Sequence, residues 1–263
     1  MNTSPNKITL NLTGDADVLV KAFIAPIEYT VGGFHKEWDA LANLRVAEPE
    51  KQHRTSVFQS FLPDEPVSVG DCWQIDETGI TALLRQLNPN PNFDMHLDAG
   101  DSNGLWGCLR AYNDEVADIV FRIHAEFAIT DGWFTPSQFA GHLIIDRLEG
   151  KIASFEMSVP EGTLNFDVNW ETTLEGWDAP RWITDGGYCW QMELRAGTQD
   201  VLQDTEFREA ITQGEAECLL ILQFYESRRI NWVSLEEALE MAQAQQKPIH
   251  VISIDGPLDD EAC

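Results

Sequence analysis

The sequence predicts an α+β fold: a β-rich domain over residues 1–230, then a helix and a strand over 231–263 that open a second unit. Three observations predict it. Between 105 and 194 apolar and polar residues alternate, aromatics are dense, and Gly, Asp or Pro turns recur about every ten residues, as in a sheet of short strands. From 234 the period becomes helical, with Leu235, Ala238, Leu239 and Ala242 at i, i+3, i+4 and i+7. Residues 249–254 are a nearly all-apolar run of the kind that sheets bury on both faces.

Taken in order, the first stretch mixes a short alternating segment (Ile8, Leu10, Leu12) with a helix-compatible one at 37–44. Pro63, Pro66 and Gly70 punctuate the chain, and 80–87 fits a short helix. Asn88-Pro89-Asn90-Pro91-Asn92 reads as a loop because neither Pro carries a backbone donor. An expected strand at 119–129 puts Ile119, Phe121, Ile123, Ala125 and Phe127 on one face and Arg122, His124 and Glu126 on the other. Further strands are expected at 142–147, 152–159, 164–170 and 190–195, a helical turn or two at 206–213, and a buried strand at 217–225. Ser234-Leu235-Glu236-Glu237 is a capping box, in which the Ser hydroxyl accepts from the third helical N–H and Glu237 reaches back; Lys247-Pro248 closes that helix.

Composition narrows the function classes. With 17 Lys+Arg against 44 Asp+Glu the formal net charge is −27, and no basic stripe exists to release counterions from phosphates, so nucleic acid and anionic membranes are not expected partners. At 43% hydrophobic the chain can bury a proper core. No apolar run reaches the roughly 18 residues of a membrane helix, and the first residues lack a signal-peptide pattern, so a soluble, cytoplasmic protein is expected. Cys72, Cys108, Cys189, Cys218 and Cys263 are widely and irregularly spaced without a C-x-x-C pair, which points away from a disulfide framework or a zinc knuckle; the first four read as core thiols. No P-loop, G-x-G-x-x-G, G-x-S-x-G or H-E-x-x-H pattern occurs.

Two places could carry chemistry. His124, Glu126 and His142 offer two imidazoles and a carboxylate from neighbouring strand segments, the donor set of a metal site, although the same residues suit a polar sheet face paired with Arg122 or water. Cys263 follows helix, apolar strand and loop, the order in which thioredoxin-like folds deliver a reactive sulfur to the N-terminus of the next helix, where backbone donors stabilise a thiolate.

The wording of this last segment adds to the spacing. Glu236-Glu237-Ala238-Leu239-Glu240-Met241-Ala242-Gln243-Ala244-Gln245-Gln246-Lys247-Pro248-Ile249-His250, then Gly256-Pro257-Leu258-Asp259-Asp260-Glu261-Ala262-Cys263, closely resembles the entry to the redox motif of the selenoprotein N family. Phe121-Arg122-Ile123-His124-Ala125-Glu126-Phe127, Trp133-Phe134-Thr135-Pro136-Ser137-Gln138-Phe139-Ala140-Gly141-His142 and Gly187-Tyr188-Cys189-Trp190-Gln191-Met192-Glu193-Leu194 resemble upstream blocks of that family in the same order. The resemblance spans 119–263 and leaves 1–118 unassigned. It implies a selenocysteine directly after Cys263, a thioredoxin-like domain of which 231–263 is only the start, and disulfide or peroxide chemistry on a protein or small-molecule thiol partner. It implies further that the sequence stops at a UGA codon read as a terminator, leaving Cys263 as the catalytic residue without its selenium partner and with weak activity. Animal members carry an EF-hand in the endoplasmic reticulum membrane. Here the nearest acidic loop fails that pattern, since Gly104 at the sixth position places Ala99 at the first and Arg110 at the twelfth. The competing expectation is a non-enzymatic module that binds a partner through the β-rich domain.

Overall fold

The computed structural model describes residues 6–13, 16–93, 104–162, 164–172, 181–198, 201–203, 205–224 and 231–251. Among them the chain forms two antiparallel sheets. The nine-stranded sheet runs in the order β15 (Glu209–Ala210), β6 (Leu105–Tyr112), β7 (Val116–Ile123), β10 (Phe139–Asp146), β11 (Lys151–Ser158), β14 (Met192–Gly197), β1 (Asp17–Ile24) and β3 (Glu50–Arg54), with β4 (Cys72–Gln74) also paired to β6. The six-stranded sheet runs β2 (Tyr29–Thr30), β13 (Arg181–Tyr188), β12 (Phe166–Thr172), β9 (Gly132–Pro136), β8 (Glu126–Ile129) and β5 (Pro91–Asn92). Helices α1 (Asp39–Ala42), α2 (Thr55–Gln59) and α3 (Glu77–Leu87) precede most of the strands; α4 (Gln213–Ile221) and α5 (Leu235–Gln245) follow them. The architecture is mixed and strand-rich, in keeping with an α+β class.

Alternation along the strands decides the packing. Ile119, Phe121 and Ile123 of β7, Leu143 and Ile145 of β10, and Phe155 and Met157 of β11 point inward, where they join Phe134, Phe166 and Val168 of the six-stranded sheet in one buried cluster. Phe121 and Phe155 stack at 5.8 Å, and Phe58 and Phe61, at and just after α2, meet them edge-on at 5.2 and 4.9 Å. Helix α3 lays Ile80, Leu83, Leu84 and Leu87 into the same core, its first turn capped by the Asp76 carboxylate, which accepts from the Thr78 N–H at 2.9 Å. The one polar side chain α3 buries, Gln86, is satisfied at both ends. Its Nε2 donates to the Val20 carbonyl at 2.9 Å and its Oε1 accepts from His53 Nε2 at 3.1 Å. Burial pushes the His53 pKa below its ordinary value, so the imidazole is held neutral.

Several expectations change. The strand expected at 119–129 is two strands: the chain leaves the nine-stranded sheet after Ile123 and enters the six-stranded one at Glu126. The buried strand expected at 217–225 is instead helix α4, started by a capping box in which Thr212 Oγ1 accepts from the Glu215 N–H at 3.2 Å and Glu215 Oε2 accepts from the Thr212 N–H at 2.8 Å. Within the helical turn expected at 206–213, residues 209–210 pair with β6 as a short strand. The strands at β10, β11, β12 and β14 match expectation to within three residues at either end.

Gly141 shows how closely the layers approach. A Cβ there would lie 1.9 Å from the Glu156 carbonyl oxygen and 2.8 Å from the Phe121 ring, so the β7–β10–β11 contact requires glycine. Gly141→Ala is expected to lower unfolding stability by about 1–3 kcal/mol, measured as a shift in the urea midpoint, whereas an exposed control such as Gly214→Ala, with open space at its Cβ, leaves it nearly unchanged.

Candidate functional site

The segment that leads to Cys263 is described only to residue 251; Cys263 itself and 252–254 of the expected strand lie outside the described residues. Helix α5 forms where the sequence predicts, with the Ser234 half of the expected capping box and without a returning Glu237 bond. Ser234 Oγ accepts from the Glu237 N–H at 3.3 Å, and Gln246, in the left-handed region at φ 52°, ends it just before Lys247-Pro248. Its apolar stripe is uncovered among the described residues: no residue of α5 is buried, and Leu235 and Leu239 are 60% and 54% exposed. Residues 249–251 have no strand pairing, and Val251 is exposed, so the expected burial of this run is not seen over those three positions.

His124, Glu126 and His142 are dispersed. Buried His124 sits between the sheets, where its Nε2 accepts from Arg122 Nε at 2.9 Å and its ring meets Phe224 at 4.5 Å. Glu126, now on the other sheet, accepts from Asn92 Nδ2 at 2.7 Å. His142 on β10 turns to Asp118 on β7. Among the described residues no group of three or more His, Cys, Asp and Glu is placed to hold a metal. The reason is the change of sheet at 124–125, which separates two residues that a continuous strand would have put on one face.

What the fold does assemble is a charged cluster on the outer face of the nine-stranded sheet. In β7 the positions alternate with the core-facing Ile119 and Phe121, so Asp118 points away from the main core, yet its side chain has no exposure. Its carboxylate accepts from Arg110 Nε of β6 through one oxygen and from His142 Nδ1 at 2.9 Å through the other. The Arg110 guanidinium in turn lies 5.0 Å from the Phe207 ring centre. A buried carboxylate with two cationic neighbours meets the condition for keeping a charge out of water. Burial alone would lower the His142 pKa, but the hydrogen bond and charge of Asp118, helped by Gln213, outweigh it and raise the pKa. His142 is therefore biased toward its protonated form relative to a free imidazole, part-exposed beside the start of α4. Sequence reading overlooked this cluster. The signal was present as a lone Asp among the apolar residues of 116–123, but its partners lie eight and 24 positions away.

A His whose folded pKa is raised stabilises the protein fully below its unfolded value of about 6.5 and loses that contribution as pH rises through the folded value. His142→Gln is accordingly expected to lose about 1–2 kcal/mol relative to the parent at pH 5.5–6 and progressively less toward pH 8.5, read from paired denaturation curves. A deficit that stays constant or grows with pH contradicts the Asp118 pairing.

No protein-family profile and no solved structure matches the chain. Curated proteins do. The chain is 30% identical to selenoprotein N of Danio rerio over an alignment covering 79% of this chain and 46% of the relative. It is 26% identical to the Homo sapiens and Mus musculus proteins of the same name, with 85% of this chain covered and 47% and 50% of theirs. The chain thus spans about half the length of the curated relatives it matches. The aligned share is larger than 119–263, so the likeness reaches beyond the quoted blocks into the first 118 residues. Among the described residues, no helix is long and apolar enough to cross a membrane. Three relatives of one name, each aligned over about four fifths of the chain, mark it as a member of a selenoprotein N-like family.

Proposed function

We propose that the chain is the upstream part of a selenoprotein N-like redox protein in which Cys263, with a selenocysteine directly after it, acts on disulfides or peroxides of a protein or small-molecule partner. The observation that carries this reading is the likeness to selenoprotein N over about four fifths of the chain, joined to the run of family-like residues that leads into Cys263. The uncovered stripe of α5 supports it, because an amphipathic helix needs an apolar surface to cover and the first helix of a thioredoxin-like unit covers the sheet that follows it.

In this reading the selenol, more acidic than a thiol, attacks one sulfur of the substrate disulfide and releases the other as a thiolate. The Cys263 sulfur then attacks the selenium, forming the S–Se bond and releasing the second thiolate, and a thiol donor reduces the pair again. The strand-rich domain is the scaffold. Cys263 itself follows Asp259, Asp260 and Glu261, whose negative charges disfavour a thiolate, so the sulfur is suited to the second step and poorly suited to the first.

A second reading, a partner-binding module without catalysis, draws on Leu19, Phe23 and Trp190, which are 45%, 41% and 56% exposed, with Phe23 and Trp190 in edge contact at 6.1 Å.

One measurement separates them, and a second tests the roles given to sulfur and selenium in the first. The nucleotides after the Cys263 codon are expected to read UGA followed in frame by Gly-Ser-Gly, and any other stop codon favours the binding module. The 263-residue chain alone is expected to show little turnover in a thiol–disulfide exchange assay, unchanged in Cys263→Ser; vigorous turnover that disappears in Cys263→Ser contradicts the division of labour between sulfur and selenium.

A further inference from the structure

Cys72 and Cys108 are 36 positions apart in sequence and directly opposite each other in the sheet, on β4 and β6. The hydrogen bonds on either side define what kind of pair they are. The Ile75 N–H donates to the Leu105 carbonyl and the Leu109 N–H to the Asp71 carbonyl, so 75/105 and 71/109 are hydrogen-bonded positions. By strict alternation 72/108 is a non-hydrogen-bonded one. At such positions the Cα atoms lie about 4.5 Å apart and the side chains are at their closest, which falls inside the span a disulfide bridges. Both side chains emerge on the outer face, opposite the Trp73 ring that packs over Gly107, and they share a small apolar cluster with Val120 and with Ala216 and Leu220 of α4.

We propose that Cys72 and Cys108 form an oxidisable dithiol, a redox site of the β-rich domain that is separate from Cys263 and is closed to a disulfide by hydrogen peroxide. The two side chains face each other across this pair. The Cys72 S–H is directed at the Gly70 carbonyl at 3.9 Å, and the neighbouring Cys108 thiol holds the Cys72 pKa below the usual thiol range while its own is raised. Access is one-sided as well: Cys108 is buried, whereas Cys72 is half-buried and lines an open cleft of about 740 Å³. Cys72 is therefore the attacking sulfur and Cys108 the resolving one. The cleft selects the oxidant. Asp64, Glu65, Asp71 and Asp76 line it against the single Lys7, which repels an anionic disulfide such as oxidised glutathione and admits a small neutral peroxide.

The steps balance. The Cys72 sulfur attacks one peroxide oxygen, the O–O bond breaks, and the other oxygen leaves as water with the thiol proton, giving a sulfenic acid at Cys72. The Cys108 sulfur then attacks Cys72 Sγ, the S–S bond forms, the S–O bond breaks, and the hydroxyl leaves as a second water with the Cys108 proton. Two thiols give up two electrons and one peroxide accepts them. A thiol reductant reverses the change.

The test uses the whole chain and the same chain carrying Cys263→Ser, so that its outcome does not depend on the chemistry proposed for Cys263. After hydrogen peroxide, alkylation in denaturant and non-reducing peptide mapping, the expected result is a peptide linking Cys72 to Cys108, with two fewer alkylatable thiols and a mass loss of two hydrogens. Dithiothreitol restores the thiols, Cys218→Ser leaves the link intact, and Cys72→Ser abolishes it. Oxidised glutathione at equal concentration is expected to react at least tenfold more slowly. The proposal is overturned if Cys72 accumulates as a sulfenic acid trapped by dimedone while Cys108 remains alkylatable. It is overturned equally if the link runs to exposed Cys218, if Cys218 oxidises while both partners stay reduced, or if glutathione disulfide closes the pair faster than peroxide.

Discussion

The contact on which the rest of the structure depends is the buried stack of Phe121 and Phe155, with Phe58 and Phe61 driven edge-on against it. Strand side chains alternate between faces, so committing Phe121 to the core commits Ile119 and Ile123 with it and sends Asp118, Val120 and Arg122 to the other face. A slip of one residue would bury the Asp118 charge among aromatic rings and expose the phenylalanines, at a cost of many kcal/mol. Register is thereby specified across β6, β7, β10 and β11, and Gly141 adds a steric check because any Cβ there would strike the Glu156 carbonyl and the Phe121 ring.

From this register the outer face follows. Cys72, Cys108, Val120 and His142 fall in one row across four strands, with Arg110 and Asp118 beside it. Helix α4 covers the apolar members, and the charged ones satisfy one another. The outer face thus brings together groups that respond to protons and to oxidants, none of which is adjacent in the chain. The contrast with α5 is physical. Helix α4 buries Ala216, Leu220 and Ile221 and is anchored, whereas α5 has a well-formed cap and an apolar stripe but no buried residue. Capping contributes about 1 kcal/mol and starts a helix; packing is what holds one in place.

Much of the fold was legible in the sequence, for reasons that residues make plain. Strand β11 was visible because Phe155 and Met157 alternate with polar neighbours, β10 because the apolar run 143–145 is bounded by His142 and Asp146, and α5 because a Ser cap precedes a helical stripe. The errors fall where local pattern is ambiguous. The run Leu219-Leu220-Ile221-Leu222 has no periodicity that separates strand from helix, and the Thr212–Glu215 capping box, which begins seven residues upstream, was the deciding feature. At His124-Ala125 the alternation continues although the strand does not, because both sheets draw on the same core. The Asp118 cluster and the Cys72–Cys108 pair were beyond reach for a different reason: each is created by strand pairing over long sequence separation, which spacing along the chain does not record. The family resemblance reached further than the residues quoted for it, since the aligned relatives extend into the first 118 residues.

The account rests on the register of the nine-stranded sheet, and cross-strand proton distances in solution test it most directly. In an antiparallel pair the α-protons of opposed non-hydrogen-bonded residues are the closest backbone protons between strands. Nuclear Overhauser spectra of the labelled chain are predicted to show strong Hα–Hα contacts for Cys72 with Cys108 and for Gln74 with Trp106, and none of that strength for Trp73 with Gly107. A strong Trp73–Gly107 contact, with the other two weak or absent, would contradict the register and with it the outer face described above.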